Sequence, residues 1–172
     1  VNATFLMRFK AFMLDYLLIF AYLVVLVIIN VFLFPSIQVF FNESLVVAQF
    51  TGFLMVTLPV SLYFVISDSV LGGQSFGKRR MRIKVVNEKE EPLRVLHAIC
   101  RTALKFLPWE LSHYLVYRLI FLGEAEVPFN YYVIGGIIYA LMLAYILTSI
   151  FTKKKKSLYD IVVKTHVVKL RS

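Results

Sequence analysis

An almost unbroken apolar run of about 24 residues, Ala11 to Phe34, carries an aspartate at position 15. At ~1.5 Å per helical residue, such a run covers the ~30 Å hydrocarbon layer of a bilayer. A carboxylate in the middle of a span costs about 2.5–3.5 kcal/mol on insertion scales, and less toward its end. Asp15 therefore needs a partner or a task. The run is too long for the apolar region of a secretory leader, and Phe34-Pro35-Ser36-Ile37 is no small-residue cleavage site, so an uncleaved span is expected.

Hydropathy along the chain predicts three further spans. Pro35 ends the first, about 11–34, because it cannot cheaply continue a helix. A second runs over about 45–67, with a kink expected at Pro59. Residues 72–106 form a basic excursion. Within it, Met81 to Val86 alternates apolar and basic residues, and Asn87 to Pro92 reads as a turn. A short two-stranded ribbon and a solvated loop fit this pattern equally. His97, Arg101 and Lys105 then recur every four residues, which predicts an amphipathic helix lying at the membrane interface over 94–106. Pro108 suits the first turn of a new helix. A marginal third span, about 107–123, carries Trp109, Glu110, His113 and Arg118. The fourth, about 131–151, is uncharged, and its Gly135-Gly136 pair permits close helix approach. Four lysines, 153–156, and a polar tail over 152–172 follow.

The expected fold is a single-domain, all-α integral membrane protein with four transmembrane helices. The net charge of +9 does not point to nucleic acid, because the basic residues gather at the ends of apolar runs. Two precede the first span, seven lie between Gly72 and Arg94, and seven follow Phe151, whereas Pro35–Ser44 and Glu124–Asn130 hold none. The positive-inside rule then places both termini in the cytoplasm, in a multi-pass protein of the cell membrane. Lys78, Arg79, Arg80 and Arg82 are expected to meet anionic lipid headgroups there. The single cysteine, Cys100, rules out an internal disulfide.

Arg8 and Asp15 are seven residues apart, on nearly one helical face and separated by ~10 Å along the axis. Arg8 either reaches toward Asp15 or binds lipid phosphate. Asp15 is then either a packing carboxylate or an ion and proton site. Glu110 and His113, at i and i+3, form an incomplete metal pair, so no metal or other cofactor is expected, and a polar stripe with Arg118 is the better reading. Gly77-Lys78 lacks the Ser or Thr of a phosphate loop, Asn42-Glu43-Ser44 is a weak glycosylation signal, and no hydrolase constellation is present, so no enzyme is expected.

Three motifs in order resemble the RDD family of membrane proteins. They are Arg8-Phe9-Lys10-Ala11-Phe12-Met13-Leu14-Asp15, then Gly73-Gln74-Ser75-Phe76-Gly77-Lys78, then Ser157-Leu158-Tyr159-Asp160 with Thr165 and Val168. The resemblance spans essentially the whole chain. Arg101 stands where the family commonly has a further arginine. Tyr159 stands where it often has histidine, so no imidazole proton relay is expected there. The resemblance implies a multi-helix membrane protein for which transport, including exchange of monovalent cations for protons, is the usual proposal. Arg8, Asp15, Asp160 and Arg101 are then the primary ion or substrate candidates, with Asp68, Glu110, His113 and Arg118 secondary. On this reading Arg8, Asp15 and Asp160 meet at the inner membrane face beneath the Gly72–Gly77 loop. Four helices enclose little pathway, which favours a homodimer for transport. The competing function is a membrane scaffold or adaptor that binds anionic lipid or a partner protein.

Overall fold

The computed structural model describes residues 2–170. Thr4 caps the first helix, α1 (Phe5–Ile28), by accepting a hydrogen bond from the Met7 amide at 3.3 Å. The helix starts one and a half turns before the apolar run, which brings Arg8 onto its first turns. It continues as a π-helical turn, Ile29–Leu33, and stops at Pro35. The expected loop after it is itself mostly helical, with a 3-10 turn at Pro35–Ile37 and a short helix α2 (Gln38–Glu43). Ser44 then caps α3 (Leu45–Gly52), which runs through a π turn, Phe53–Thr57, into α4 (Leu58–Asp68). After α5 (Phe76–Arg80) and the strand β1 (Ile83–Asn87) come the long helices α6 (Val95–Leu122) and α7 (Phe129–Phe151). A one-turn helix α8 (Leu158–Val162) and a strand β2 (Thr165–Lys169) close the described chain.

Three helical stretches, Phe5–Leu33, Leu45–Asp68 and Phe129–Phe151, are long and apolar enough to cross a membrane. Their outward side chains are large and unburied: Phe32, Val46, Phe129 and Phe151 are all exposed. Such a surface suits a lipid solvent, since in water it would be a strong aggregation site.

The sequence places a helix start at Pro108, but α6 is one helix of 28 residues with Pro108 inside it. Proline has no N–H to give the carbonyl four residues earlier, and an unpaired carbonyl among apolar groups is costly. Tyr145 of α7 supplies the missing donor, its hydroxyl meeting the Leu104 carbonyl at 2.5 Å. The same device recurs at Pro59. There Tyr22 of α1 donates to the Met55 carbonyl, again at 2.5 Å. Each proline is thus kept inside a continuous helix by a tyrosine from the neighbouring one.

The basic excursion does contain a strand, but its partner is not local. β1 pairs antiparallel with β2 from the C-terminal segment, in register from Ile83 opposite Lys169 to Asn87 opposite Thr165. The turn after β1 is instead closed by Asn87, whose side-chain oxygen accepts from the amides of Lys89 and Glu91 at 2.9 and 3.0 Å. Ala3 adds to the ribbon by donating to the Val167 carbonyl at 2.8 Å. The chain start, the middle excursion and the C-terminal segment therefore gather at one end of the helices. A small apolar core of Ala3, Ala11, Ile83, Val85, Leu93 and Val167 holds them there.

Removing only the hydroxyl tests the proline device. Tyr145→Phe should lower stability by about 1 kcal/mol in a denaturant titration in mixed micelles, because the Leu104 carbonyl loses its donor. Tyr139→Phe, at an exposed position on the same helix, should leave the midpoint unchanged.

Candidate functional site

Ionisable side chains collect where the ribbon meets the helices, and short-range geometry explains how. Ser75 caps α5 by accepting from the Lys78 amide at 3.4 Å. α5 lies so close on α1 that a Cβ at residue 77 would sit 1.9 Å from the Ala11 carbonyl oxygen, so only glycine fits. That approach puts the start of α5 against Asp15. The Gly77 amide donates to Oδ1 of Asp15 at 2.8 Å, Ser75 to Oδ2 at 2.6 Å, and the Tyr63 hydroxyl to Oδ1 at 2.9 Å. The Tyr63 oxygen in turn accepts from the Phe76 amide at 2.9 Å. Asp15 is 1 % exposed, and among the described residues every one of its hydrogen-bond donors is neutral.

The other two buried aspartates have the opposite environment. Asp68, at the end of α4, pairs with Lys78 of α5 and accepts from Arg101 Nη1 of α6 at 2.8 Å. Arg101 also reaches Asp160 of α8, with Nε and Nη2 both 3.0 Å from Oδ1. Asp160 is held further by Arg8 of α1, by the Thr165 hydroxyl at 3.0 Å, and by the Ser157 amide at 3.4 Å. Arg8 is itself anchored on the Lys155 carbonyl and on the Tyr159 hydroxyl, the latter at 3.3 Å. The result is an alternating chain, Lys78–Asp68–Arg101–Asp160–Arg8, that ties together α5, α4, α6, α8 and α1. Burial alone would raise the Asp160 carboxyl, but the guanidiniums of Arg101 and Arg8 outweigh it and hold the group down to about 2.

Several sequence expectations change accordingly. Arg8 does not turn to Asp15 but to Asp160, while the start of α5 supplies donors to Asp15. The Gly72–Gly77 loop does fold over Asp15, so that part of the expected meeting stands. Lys78 is not a headgroup-facing cation, since its ammonium is buried on Asp68, while Arg79, Arg80 and Arg82 are exposed. The polar face of residues 94–106 is turned onto other parts of the protein. His97 meets the Val163 carbonyl, Arg101 meets the two aspartates, and Lys105 stands over the Phe64 ring at 3.6 Å, while Leu96 and Ile99 point outward. An amphipathic helix inverts in this way when its polar groups find partners in protein and its apolar ones face lipid.

A cavity of about 350 Å³ adjoins this network, lined by Arg8, Phe12, Asp15, Lys78, Arg101 and Lys105 among others. A second polar group lies further along α6. The π turn that ends at Thr57 directs its hydroxyl onto Glu110, 2.9 Å from Oε2, with His113 Nδ1 3.5 Å away. Arg118 does not join them; it donates to Gln49 at 2.9 Å and stacks over Tyr114. Among the described residues no set of three His, Cys, Asp or Glu side chains is placed to bind a metal. Sequence reasoning missed Tyr63 and Thr57 altogether. The only signal for either was a hydroxyl inside an apolar span.

Membrane-length helices with outward apolar faces, closed at one end by buried ion pairs, define a helical membrane-type protein. The sequence matches the RDD family over residues 2–164, nearly the whole chain, and the protein belongs to that family. Neither the comparison with curated proteins nor that with solved structures gives a match.

The depressed Asp160 carboxyl has a consequence for stability. Its folded-state value lies below the ordinary 3.8, so the stabilisation is complete above about pH 4 and is lost as pH falls toward 2. The shift corresponds to about 2 kcal/mol. Wild-type protein in detergent should lose that much between pH 4 and 2 by intrinsic fluorescence, and Asp160→Asn should be less stable at pH 7 and lack this acid limb.

Proposed function

We propose that this protein is a small secondary transporter that exchanges monovalent cations for protons, with Asp15 as the exchanging group. The observation that carries the reading is the contrast among the three buried aspartates. Asp68 and Asp160 each contact two cations, so their charge is already cancelled and a proton or metal cation gains little by binding there. Among the described residues Asp15 contacts none, borders the cavity, and has only neutral donors. Its charge is offset only through space, by Lys78 and Lys105 on the cavity wall. A proton or a small cation arriving from the cavity therefore meets no counter-cation bound to Asp15 among the described residues.

In this reading α6 is the fourth membrane crossing. Its ~42 Å length suffices, and its charged residues turn inward, Arg101 onto Asp68 and Asp160, Glu110 onto Thr57, and Arg118 onto Gln49. The gathering of the chain start and C-terminal segment at one end supports an even number of crossings. The positive-inside rule puts that end in the cytoplasm of the cell membrane, with Arg79, Arg80 and Arg82 toward anionic lipid. A homodimer supplies the moving interface that four helices alone lack. Neither a cofactor nor an enzymatic step is part of the proposal.

A second reading has its own support. The five-membered ion-pair chain is fully satisfied and suits a fixed scaffold, and the exposed arginines around α5 offer it a docking surface. One experiment separates the two. Sealed vesicles containing the protein and a pH-sensitive dye should respond to added Na⁺ or K⁺, and Asp15→Asn should fall to the empty-vesicle baseline. A flat wild-type response to all monovalent cations across pH 6–9 rejects exchange in favour of the scaffold.

A further inference from the structure

The cavity beside the RDD motifs has a charge balance that cation exchange at Asp15 does not use. Four cations border it or point toward it: Arg8, Lys78, Arg101 and Lys105. Three carboxylates answer them: Asp15, Asp68 and Asp160. The local pairing assigns Lys78 to Asp68, Arg8 to Asp160, and Arg101 to both. Lys105 and Asp15 are left over, and the four cations exceed the three carboxylates by one. Among the described residues the Lys105 ammonium has no carboxylate or carbonyl within hydrogen-bonding reach. It faces instead the rings of Phe64 at 3.6 Å, Phe106 at 5.1 Å and Phe12 at 5.8 Å. Aromatic faces offset part of the cost of removing an ammonium from water, but they supply no counter-charge. An anion bound at Lys105 would cancel that excess of one positive charge around the cavity.

The shape of the cavity narrows the class of ligand. Its volume, about 350 Å³, lies within the range of small-molecule pockets, about 300–1,000 Å³. Lys105 and the Ser149 and Ser157 side chains are among its polar lining. Phe9, Phe12 and Ile146 also line it, and these three are exposed on α1 and α7 as well. A ligand whose anion meets Lys105 therefore has an apolar exit toward the lipid-facing surface between those helices. We propose that this cavity binds a phosphate-ester anion bearing an apolar tail, the chemistry of an anionic phospholipid, with the phosphate on Lys105 and the chain leaving over Phe9, Phe12 and Ile146. The bound anion brings the charges around the cavity into balance. The exposed arginines 79, 80 and 82 have no part in this site.

Thermal unfolding of the full chain in a neutral detergent tests the assignment, with phosphatidylglycerol, phosphatidylcholine and glycerol 1-phosphate as probes. A site-bound ligand at about 100 times its Kd raises Tm by roughly 5 °C in a chain of this size. Phosphatidylglycerol should give that rise and phosphatidylcholine should not. Lys105→Gln should reduce the rise to under about 1 °C, and Lys105→Arg should restore it. Ile146→Trp plugs the apolar exit without touching a charge, and should also lose the response if Lys105→Gln proves too unstable to measure. The double variant Arg79→Gln/Arg80→Gln should keep the full rise. An equal rise with glycerol 1-phosphate, which has no apolar tail, overturns the lipid assignment. A phosphatidylglycerol response unchanged in both Lys105→Gln and Ile146→Trp, or matched by phosphatidylcholine, overturns the proposal. None of these readings depends on transport, so failure of exchange at Asp15 leaves the test intact.

Discussion

Arg101 is the group on which the rest of the arrangement depends. It is 2 % exposed and holds Asp68 with one edge of its guanidinium and Asp160 with the other. A buried carboxylate or guanidinium alone carries a penalty of several kcal/mol, so none of the three is tolerable without the others. Arginine suits the position because its planar fork addresses two acids at fixed angles, which a lysine ammonium does not. Through those two contacts the ends of α4 and α8 are fixed to α6. Lys78 and Arg8 then extend the tie to α5 and α1. The short ribbon and small core at this end could not by themselves orient five elements, since both are only a few residues wide.

Away from that end the physical problem changes. The helix exteriors carry large apolar side chains in contact with lipid, so little hydrophobic energy is gained by packing one helix on another. What matters is that no backbone polar group remains unpaired. Pro59 and Pro108 each free a carbonyl, and Tyr22 and Tyr145 each deliver a hydroxyl to it. Those two contacts also specify which helix lies beside which: α1 beside the α3–α4 stretch, and α7 beside α6. Small residues set the spacing. Gly77 lets α5 touch the α1 backbone, and at Gly52 a Cβ would meet the Tyr117 hydroxyl at 2.0 Å.

Three kinds of polar group therefore coexist inside the helices, and their environments divide their roles. The acids of the ion-pair chain have no charge left to offer and act as fasteners. Asp15 has its hydrogen bonds but no counter-cation among the described residues. Lys105 has neither a hydrogen bond nor an anion among the described residues. Function is more readily sought at the two unbalanced groups than in the chain, although all are brought together by the same family motifs.

The sequence alone determined which segments suit lipid surroundings and which charged residues would be hard to bury. It did so because hydropathy and helix period are local properties that add along the chain. Arg8, Asp15, Asp160 and Arg101 were all legible as candidates, and so was a strand after the basic cluster. Tertiary structure decided the pairings. Helical spacing leaves Arg8 to reach toward Asp15 or toward lipid phosphate, yet it pairs with Asp160, and the start of α5, some sixty residues away, takes Asp15. β1 found its partner in the C-terminal segment, Pro108 was absorbed by a tyrosine from α7, and the polar face of residues 94–106 turned inward. Each outcome turned on which of several chemically equivalent donors came within 3 Å of a buried acceptor, and that is set by the packing of distant elements rather than by any local pattern.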